Sequence, residues 1–361
     1  MSQCQTALLV TEIGKPLSKA TRPIPEPKNG EVLVKITVAG LNPHDAKSRD
    51  DGLSIKGSLP AVLASDIAGH VVHVGPNVTH FKQGDHIFGQ ALLAITSTET
   101  KVPPHPNYDT QGLQEYSIMD TKFSAKVPPG YTDAELAALP TNLVTAAVAL
   151  FDSTGFNIPA PWDPAALEFN YQEASILIVG GGSNTGRFAI QLASIAGIGK
   201  IIVVASLKGE ADLKALGATH IIDRTKPGRQ IAADVKTLVG DDLVYALDTV
   251  NPPEDQYIGV EALSNTKTGK FARLRPRGPV DETKLSAKKP LGFETLNVLG
   301  ASNARPATSV PLWKRVSGLV AEGKIKPTSF QVIEGLDLDE VNKTLDGYSN
   351  GTMSGQWQVH I

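Results

Sequence analysis

The 361-residue sequence contains a single cysteine, Cys4. One thiol cannot form a disulfide within the chain, and no cysteine-based metal cage can be built. A reducing, cytoplasmic setting is expected. Long hydrophobic runs are missing too. None reaches the roughly 18 residues that a bilayer span requires, and the most apolar stretch, Leu136 to Phe151, is broken by Pro140, Thr141 and Asn142. Neither sign of charge dominates: 34 Lys and Arg stand against 37 Asp and Glu, a formal net charge of −3. That balance argues against a nucleic-acid or membrane-surface protein. The opening segment MSQCQTALLVTEIG has no basic leader and places Glu12 straight after its short apolar run, so no signal peptide is expected. Internal repeats are absent.

What the chain does contain is a change of pattern. Hydrophobic residues make up 41% and charged residues 20%, ordinary for a globular protein, and this length predicts two domains. In the first 125 residues the pattern is β. Val32, Val34, Ile36 and Val38 recur at every second position, the signature of a half-buried strand. GPN at Gly75–Asn77 and QGD at Gln83–Asp85 read as turns.

From Ala174 to Leu274 short apolar strands alternate with helical segments. Strands are expected at SILIVG, IIVVAS (from Ile201), THIIDR (from Thr219), YALDTV (from Tyr245) and GKFARL (from Gly269), with a sixth, FETLNVLGAS, from Phe293. Helices are expected at Gly186–Ala196, Glu210–Leu216, Arg229–Val239 and Asp255–Leu263; Phe188, Leu192 and Ile195 recur at helical spacing in the first. Strands this apolar are expected to be buried on both faces of a parallel sheet covered by helices. A further helix, Pro311–Glu322, and short strands then lead to Ile361. Stretches rich in Pro or polar residues interrupt the pattern at Thr96–Gln111, Asp152–Gln172 and Arg275–Pro290. The simplest α/β architecture has both chain ends, 1–125 and 305–361, building one mostly β domain. A Rossmann domain with a doubly wound parallel sheet occupies 126–304 between them.

The strand ILIV runs into GGGSNTG, Gly180 to Gly186, and directly into a helix. Gly181, Gly182, Ser183, Asn184, Thr185 and Gly186 are the candidate phosphate loop. Glycines there let backbone N–H groups approach a pyrophosphate, and the helix N-terminus adds partial positive charge. A buried strand before and a helix after, in the first unit of a βα repeat, is the context such a loop requires; a tight turn without ligand is the alternative. An NAD site carries Asp or Glu about 20 residues after the loop to bind the ribose 2′-hydroxyl. Here the next strand ends in ASLKGE, so Ser206 and Lys208 replace the acid, and Arg224 closes the third strand at the same edge. Two cations and a hydroxyl suit a 2′-phosphate, which a carboxylate would repel. NADPH is therefore the expected cofactor. The competing reading makes Lys208 and Arg224 solvated loop charges near Glu210.

At this point the residues resemble the medium-chain dehydrogenase/reductase superfamily, and the shared stretches cover nearly the whole chain. GEVLVKITVAGLNPHDAKSRDG (from Gly30) is similar to the opening strand and turn of quinone oxidoreductases and enoyl reductases, and ASDIAGHVVHVG (from Ala64) to their D-x-A-G-x-V-x-x-V-G segment. FKQGDHIFG (from Phe81), AALPTNLVTAAVAL (from Ala137) and the phosphate loop follow in the family's order. The Pro-rich insertions and the ending MSGQWQV are most similar to fungal trans-acting enoyl reductases, which serve polyketide synthases lacking a working reductase.

The resemblance implies a GroES-like β domain beside the Rossmann domain, and it implies site residues. His44, Asp45, Ala46 and Lys47 match the turn that lies along the cofactor. Ser206, Leu207, Lys208 and Gly209 match the adenosine-phosphate segment, and Arg224 stands where relatives often carry a Tyr. Arg273, Leu274, Ser354 and Gly355 match nicotinamide-side contacts. Leu139, Pro140, Thr141, Asn142, Leu143, Val144, Thr145 and Ala146 match a segment lining the substrate pocket. Ser183 replaces a glycine common in quinone reductases, at some cost in loop flexibility. The fungal branch further implies a monomer rather than a homodimer.

Zinc alcohol dehydrogenases of the superfamily hold catalytic zinc through a Cys after the first strand, a His-Glu pair and a later Cys. Here the first position lies in Asn42-Pro43-His44, the pair has become Ser65-Asp66, and no later cysteine exists. The eight histidines are scattered: His70 and His73 point to opposite faces of a strand, and His44 and His86 are isolated in sequence. No metal is expected. Without a Lewis acid, the expected reaction is hydride delivery to the β-carbon of an α,β-unsaturated thioester or ketone, with charge moving onto the carbonyl oxygen. Lys47 is the candidate catalytic residue, a role as open as pure cofactor binding, and Asp66 could orient the site or equally only pin a turn. A substrate that is a small molecule or carried on an acyl carrier is expected, with a polyketide synthase as partner. Two other readings stay open: a quinone or enone oxidoreductase acting on small molecules, and an NADPH-binding protein without catalysis.

Overall fold

A computed structural model describes residues 3–93, 107–276 and 278–361. Most of the polar stretch Thr96–Gln111, and Arg277 in the third such stretch, lie outside the described residues. Two compact units form: Met1–Thr141 with Ala301–Gly323 and Pro327–Ile361, and Asn142–Gly300 with Lys324–Lys326.

The first unit begins with β1 (Cys4–Val10), β2 (Ser18–Pro23), β3 (Glu31–Leu41), α1 (Pro43–Asp51), β4 (Ala61–Val62), β5 (Asp66–Val74), β6 (His86–Gln90), β7 (Tyr116–Asp120), β8 (Ser124–Lys126) and α2 (Asp133–Ala137). Asn77 and Gly84 take positive φ at the GPN and QGD turns, where Asn and Gly tolerate the left-handed conformation. The chain leaves this unit in the first turn of α3 (Pro140–Phe151). The segment Leu136–Phe151, noted in the sequence only for its apolar character, is thus helical over most of its length.

The second unit continues with β9 (Ser175–Val179), α4 (Asn184–Ala196), β10 (Lys200–Ala205), α5 (Glu210–Ala215), β11 (His220–Asp223), α6 (Gly228–Val239), β12 (Tyr245–Asp248), α7 (Tyr257–Ala262), β13 (Gly269–Arg273) and β14 (Phe293–Asn297). All six strands are parallel, in the order β11-β10-β9-β12-β13-β14. This is the doubly wound order, whose reversal of direction beside the first strand creates the crevice where dinucleotides bind. Leu177, Ile202, Val204, Ala246 and Phe271 share its core with Ile231 and Val235 of α6. The expectation of burial on both faces fails at the edge. Glu294, Thr295 and Asn297 of β14 are exposed, because no strand flanks them within this unit.

The chain then returns to the first unit through α8 (Pro306–Ala321), β15 (Phe330–Glu334), α9 (Leu338–Asn350) and β16 (Gln356–His360). α8 starts earlier than the sequence pattern suggested and carries Pro311 in its interior. α9 was not anticipated. Asp337 caps it by accepting from the N–H groups of Asp339 and Glu340, but its buried face is only Val341, Thr344, Leu345 and Gly347, too sparse an apolar repeat to read. β16 pairs antiparallel with β3 and parallel with β15, completing a sheet ordered β15-β16-β3-β5-β6-β8 with β7 also on β3. Leu8, Val34, Ile36, Leu41, Ile67, Ile87, Leu113 and Val359 form its core.

Candidate functional site

The candidate phosphate loop is built by three glycines with different obligations. A Cβ on Gly181 would lie 2.1 Å from Val203 Cγ1, and one on Gly186 would lie 2.4 Å from the Gly180 carbonyl oxygen. These two serve the close packing of loop, strand and helix. A Cβ on Gly182 would meet nothing within 4 Å. The backbone there is open to a ligand, as a pyrophosphate site needs.

Ser183 closes the loop by capping α4, its Oγ accepting from Gly186 N–H at 3.0 Å. Sequence reading missed Thr249. Its Oγ1 lies 3.0 Å from the carbonyl oxygens of both Val179 and Gly180 and 2.9 Å from Ser183 Oγ. It follows β12, which pairs directly with β9, so the doubly wound strand order was the signal that could have found it. Thr185 of the loop donates to Asn142 Oδ1 at 2.9 Å, joining a cofactor candidate to a substrate candidate within the second unit.

At the edge expected to meet the adenosine phosphate, Ser206 Oγ accepts from Lys208 N–H at 3.4 Å, and Leu207 and Lys208 are exposed beside the half-buried Gly209. Arg224 N–H donates to Ala205 O at 2.9 Å, which sets the exposed Arg224 beside Ser206 at the end of β10. Glu210, the acid that weakened the electrostatic reading, pairs with Lys214 at 2.7 Å. Asp223 Oδ1 is taken by Thr225 N–H at 3.0 Å.

Two matched residues of the second unit sit differently from a surface contact. Arg273 is buried, donating through Nε to Asn297 Oδ1 and through Nη1 to Gln256 Oε1, both at 2.9 Å. Its side chain ties β13 to β14, and burial draws its pKa below the usual guanidinium value. Leu274 N–H donates to Asp248 O at 3.1 Å. In the α3 segment Leu139, Pro140, Leu143, Val144 and Ala146 are buried in packing, leaving Thr141, Asn142 and Thr145 with accessible surface.

In the first unit the matched residues surround a buried pair of carboxylates. Asp45 accepts from Asn42 N–H at 2.8 Å and Ala64 N–H at 2.9 Å, the latter bond holding Ala64 at φ 72°. Asp66 accepts from Thr141 N–H at 2.7 Å, Thr141 Oγ1 at 2.5 Å and Asn42 Nδ2 at 2.8 Å. Asp66 thus joins the N-terminus of α1 to that of α3, an arrangement that suits orienting a site and pinning a turn alike. With Asp45 and Ala46 buried, only His44 and Lys47 of the matched turn retain surface. Burial, then the charge of Lys47, lowers the His44 pKa to about 4, which keeps the imidazole neutral. Ser354 and Gly355 are exposed, and Gly355 O lies 3.0 Å from the Tyr348 hydroxyl.

Two family models match the chain: the alcohol dehydrogenase GroES-like domain over residues 28–129 and the zinc-binding dehydrogenase model over residues 185–307. The chain belongs to the medium-chain dehydrogenase/reductase superfamily. Among curated relatives of this superfamily member, the trans-enoyl reductase traG of Penicillium crustosum is 28% identical over 99% of this chain and 96% of its own. The enoyl reductase component lovC of lovastatin nonaketide synthase, from Aspergillus terreus, is 25% identical over 98% and 94%. Among solved structures, an alcohol dehydrogenase superfamily protein from Novosphingobium aromaticivorans shares the fold with a TM-score of 0.74 at 23% identity, covering 99% of each chain. A mycobacterial protein solved with NADPH gives a TM-score of 0.72 at 20% identity over 99% of this chain and 100% of its own.

The dehydrogenase/reductase chain carries a pH dependence in its buried acids. Burial raises Asp45 to about 7, with the charge of Asp66 adding to it, and raises Asp66 and Asp248 to about 6. All lie above the ordinary 3.8, so the folded chain holds protons that the unfolded chain has released. Their contribution is complete below the unfolded value and is lost as pH rises through the folded values. Carboxylates such as Asp241, held low by the Asn265 N–H, act oppositely and fail only in acid. His44, neutral in the folded chain but protonated in the unfolded chain near pH 5, opposes the three raised acids there by about 2 kcal/mol. The raised acids outweigh it, so thermal unfolding is expected at a higher temperature near pH 5 than at pH 8, by about 2 kcal/mol or more in stability. A flat or rising profile between those pH values would contradict the raised pKa values.

Proposed function

We propose that this chain is an NADPH-dependent reductase of activated alkenes, serving in trans as the enoyl reductase of a polyketide synthase. The observation that carries the cofactor half is the open backbone at Gly182, in line with an edge where Ser206, Lys208 and Arg224 stand, Glu210 pairing with Lys214 and Asp223 lying beside Arg224 and Lys226. The sequence likeness, over nearly the whole chain, to fungal proteins named as trans-acting or component enoyl reductases supports the substrate half.

Bound there, a reduced nicotinamide would supply hydride to an electron-poor carbon. The chain's residues do the rest. Gly181 to Gly186 and the α4 N-terminus would hold the diphosphate, and Ser206, Lys208 and Arg224 the 2′-phosphate. In the first unit His44, Lys47, Ser354 and Gly355 are proposed cofactor contacts; in the second Leu274 is, while the buried guanidinium of Arg273 stays on Asn297 and Gln256. Neutral His44 adds no charge, which leaves Lys47 as the cation there. Thr141, Asn142 and Thr145 are the proposed substrate contacts. The chemistry is proposed to be zinc-independent, since neither Ser65-Asp66 nor Asn42-Pro43-His44 offers the dehydrogenase ligand set.

Turnover with enoyl thioesters on an acyl carrier protein, compared with free quinones, tests the reading. A higher kcat/KM for the thioesters is expected; NADPH binding with no oxidation by either class would overturn it. For the cofactor edge, the double variant Lys208→Ala/Arg224→Ala is expected to weaken NADPH about 100-fold, at about tenfold for each charge-assisted contact. NADH affinity should change little. Equal losses for both dinucleotides would remove the 2′-phosphate role.

A further inference from the structure

Among the described residues, one group of three side chains lies close enough together to hold a metal ion: His70, His86 and Asp133, whose ligand atoms are all within 4.8 Å of one another. Sequence spacing hid this group by leaving His86 isolated. Strand pairing corrects that, because β5 and β6 place His70 directly opposite His86, with ring centroids 3.9 Å apart. Asp133, in the first turn of α2, sets its Oδ1 3.1 Å from His86 Nδ1. Its other oxygen accepts from Thr37 Oγ1 at 2.7 Å. The carboxylate is therefore held in place by β3 while one oxygen faces the imidazoles.

We propose that His70, His86 and Asp133 form a divalent transition-metal site, with Zn²⁺ as its natural probe. Two imidazoles and one carboxylate, with water as fourth ligand, make a tetrahedral zinc set. Bond lengths near 2.0–2.1 Å put tetrahedral ligand atoms roughly 3.3 Å apart. The His86–Asp133 pair already has that spacing, and His70 needs only a side-chain adjustment. The His86 side chain is 51% exposed, so an ion has a path in and room for water.

The site is separate from the proposed reaction chemistry. His70 lies four residues beyond Asp66 along β5, about 13 Å at roughly 3.3 Å per residue. A metal there would clamp β5, β6 and α2 together rather than polarise a substrate. Thr37 acts as a positioning residue, since an anchored carboxylate binds better than a free one.

The test is Zn²⁺ titration by calorimetry, with metal content measured after dialysis, on the full chain in a Cys4→Ser background, because Cys4 is an exposed thiol. One equivalent of zinc is expected. His70→Ala and His86→Ala should each weaken binding at least about tenfold, and Thr37→Val about tenfold, within the range for a lost outer-shell partner. Unchanged NADPH affinity and circular dichroism in the His86→Ala protein would show that folding is intact. No saturable zinc binding, or equal binding in the parent and both histidine variants, would overturn the proposal.

Discussion

Gly182→Ala is expected to leave thermal unfolding within about 1 °C of the parent chain while weakening NADPH about tenfold or more, equivalent to about 1.4 kcal/mol of binding. The methyl group meets nothing in the folded chain and stands where a diphosphate would need the backbone. Gly186→Ala is expected to behave differently. Its Cβ would lie 2.4 Å from Gly180 O and 2.8 Å from Gly181 Cα. Both are backbone atoms that cannot swing aside, so helix and loop must separate. Overpacking of this kind costs about 1–3 kcal/mol and would lower the unfolding temperature as well as the affinity. Fluorescence titration with NADPH and a calorimetric scan on both variants separate the two effects. If Gly182→Ala bound NADPH like the parent, the loop would not be the diphosphate site.

That contrast marks the limit of what sequence could supply. The motif GGGSNTG was readable as a phosphate loop because strand and helix flank it, and all six strands of the parallel sheet fall where the apolar runs lie. Which glycine packs and which faces ligand was not readable, since it depends on Val203 and Gly180, brought near by the fold. Thr249 and His86 were missed for the same reason: strands distant in sequence set them beside their partners. Arg273 was matched by position, yet its guanidinium is spent on Asn297 and Gln256.

Asp66→Ala should be the most damaging single change in the first unit. It removes the acceptor of four donors, Thr141 N–H, Thr141 Oγ1, Asn42 Nδ2 and Gln356 Nε2, and a lost bond costs about 1–3 kcal/mol where the donor is left buried. Against this, removing a buried acid raised to about 6 relieves about 3 kcal/mol at pH 8, from a shift of about two units at 1.36 kcal/mol each. At pH 5 the folded carboxyl is largely protonated while the unfolded one, at 3.8, is still ionised, so about half of that relief disappears. The net loss is therefore expected to be about 2 kcal/mol or more at pH 8 and larger at pH 5. Denaturant unfolding of parent and variant at both pH values measures it. An equal loss at the two pH values would show that the Asp66 pKa is not raised, and a smaller loss at pH 5 that it is lowered.

Because β16 pairs with β3, the first unit closes only with residues that follow the whole parallel sheet in sequence. During vectorial synthesis residues 142–300 become available while one edge of β3 still waits for its neighbour. The parallel sheet can mature early, and the β-rich unit stays unfinished until Gln356–His360 has emerged. Deleting those residues would bare that edge of β3 while leaving β9 to β14 every one of their own strand pairs.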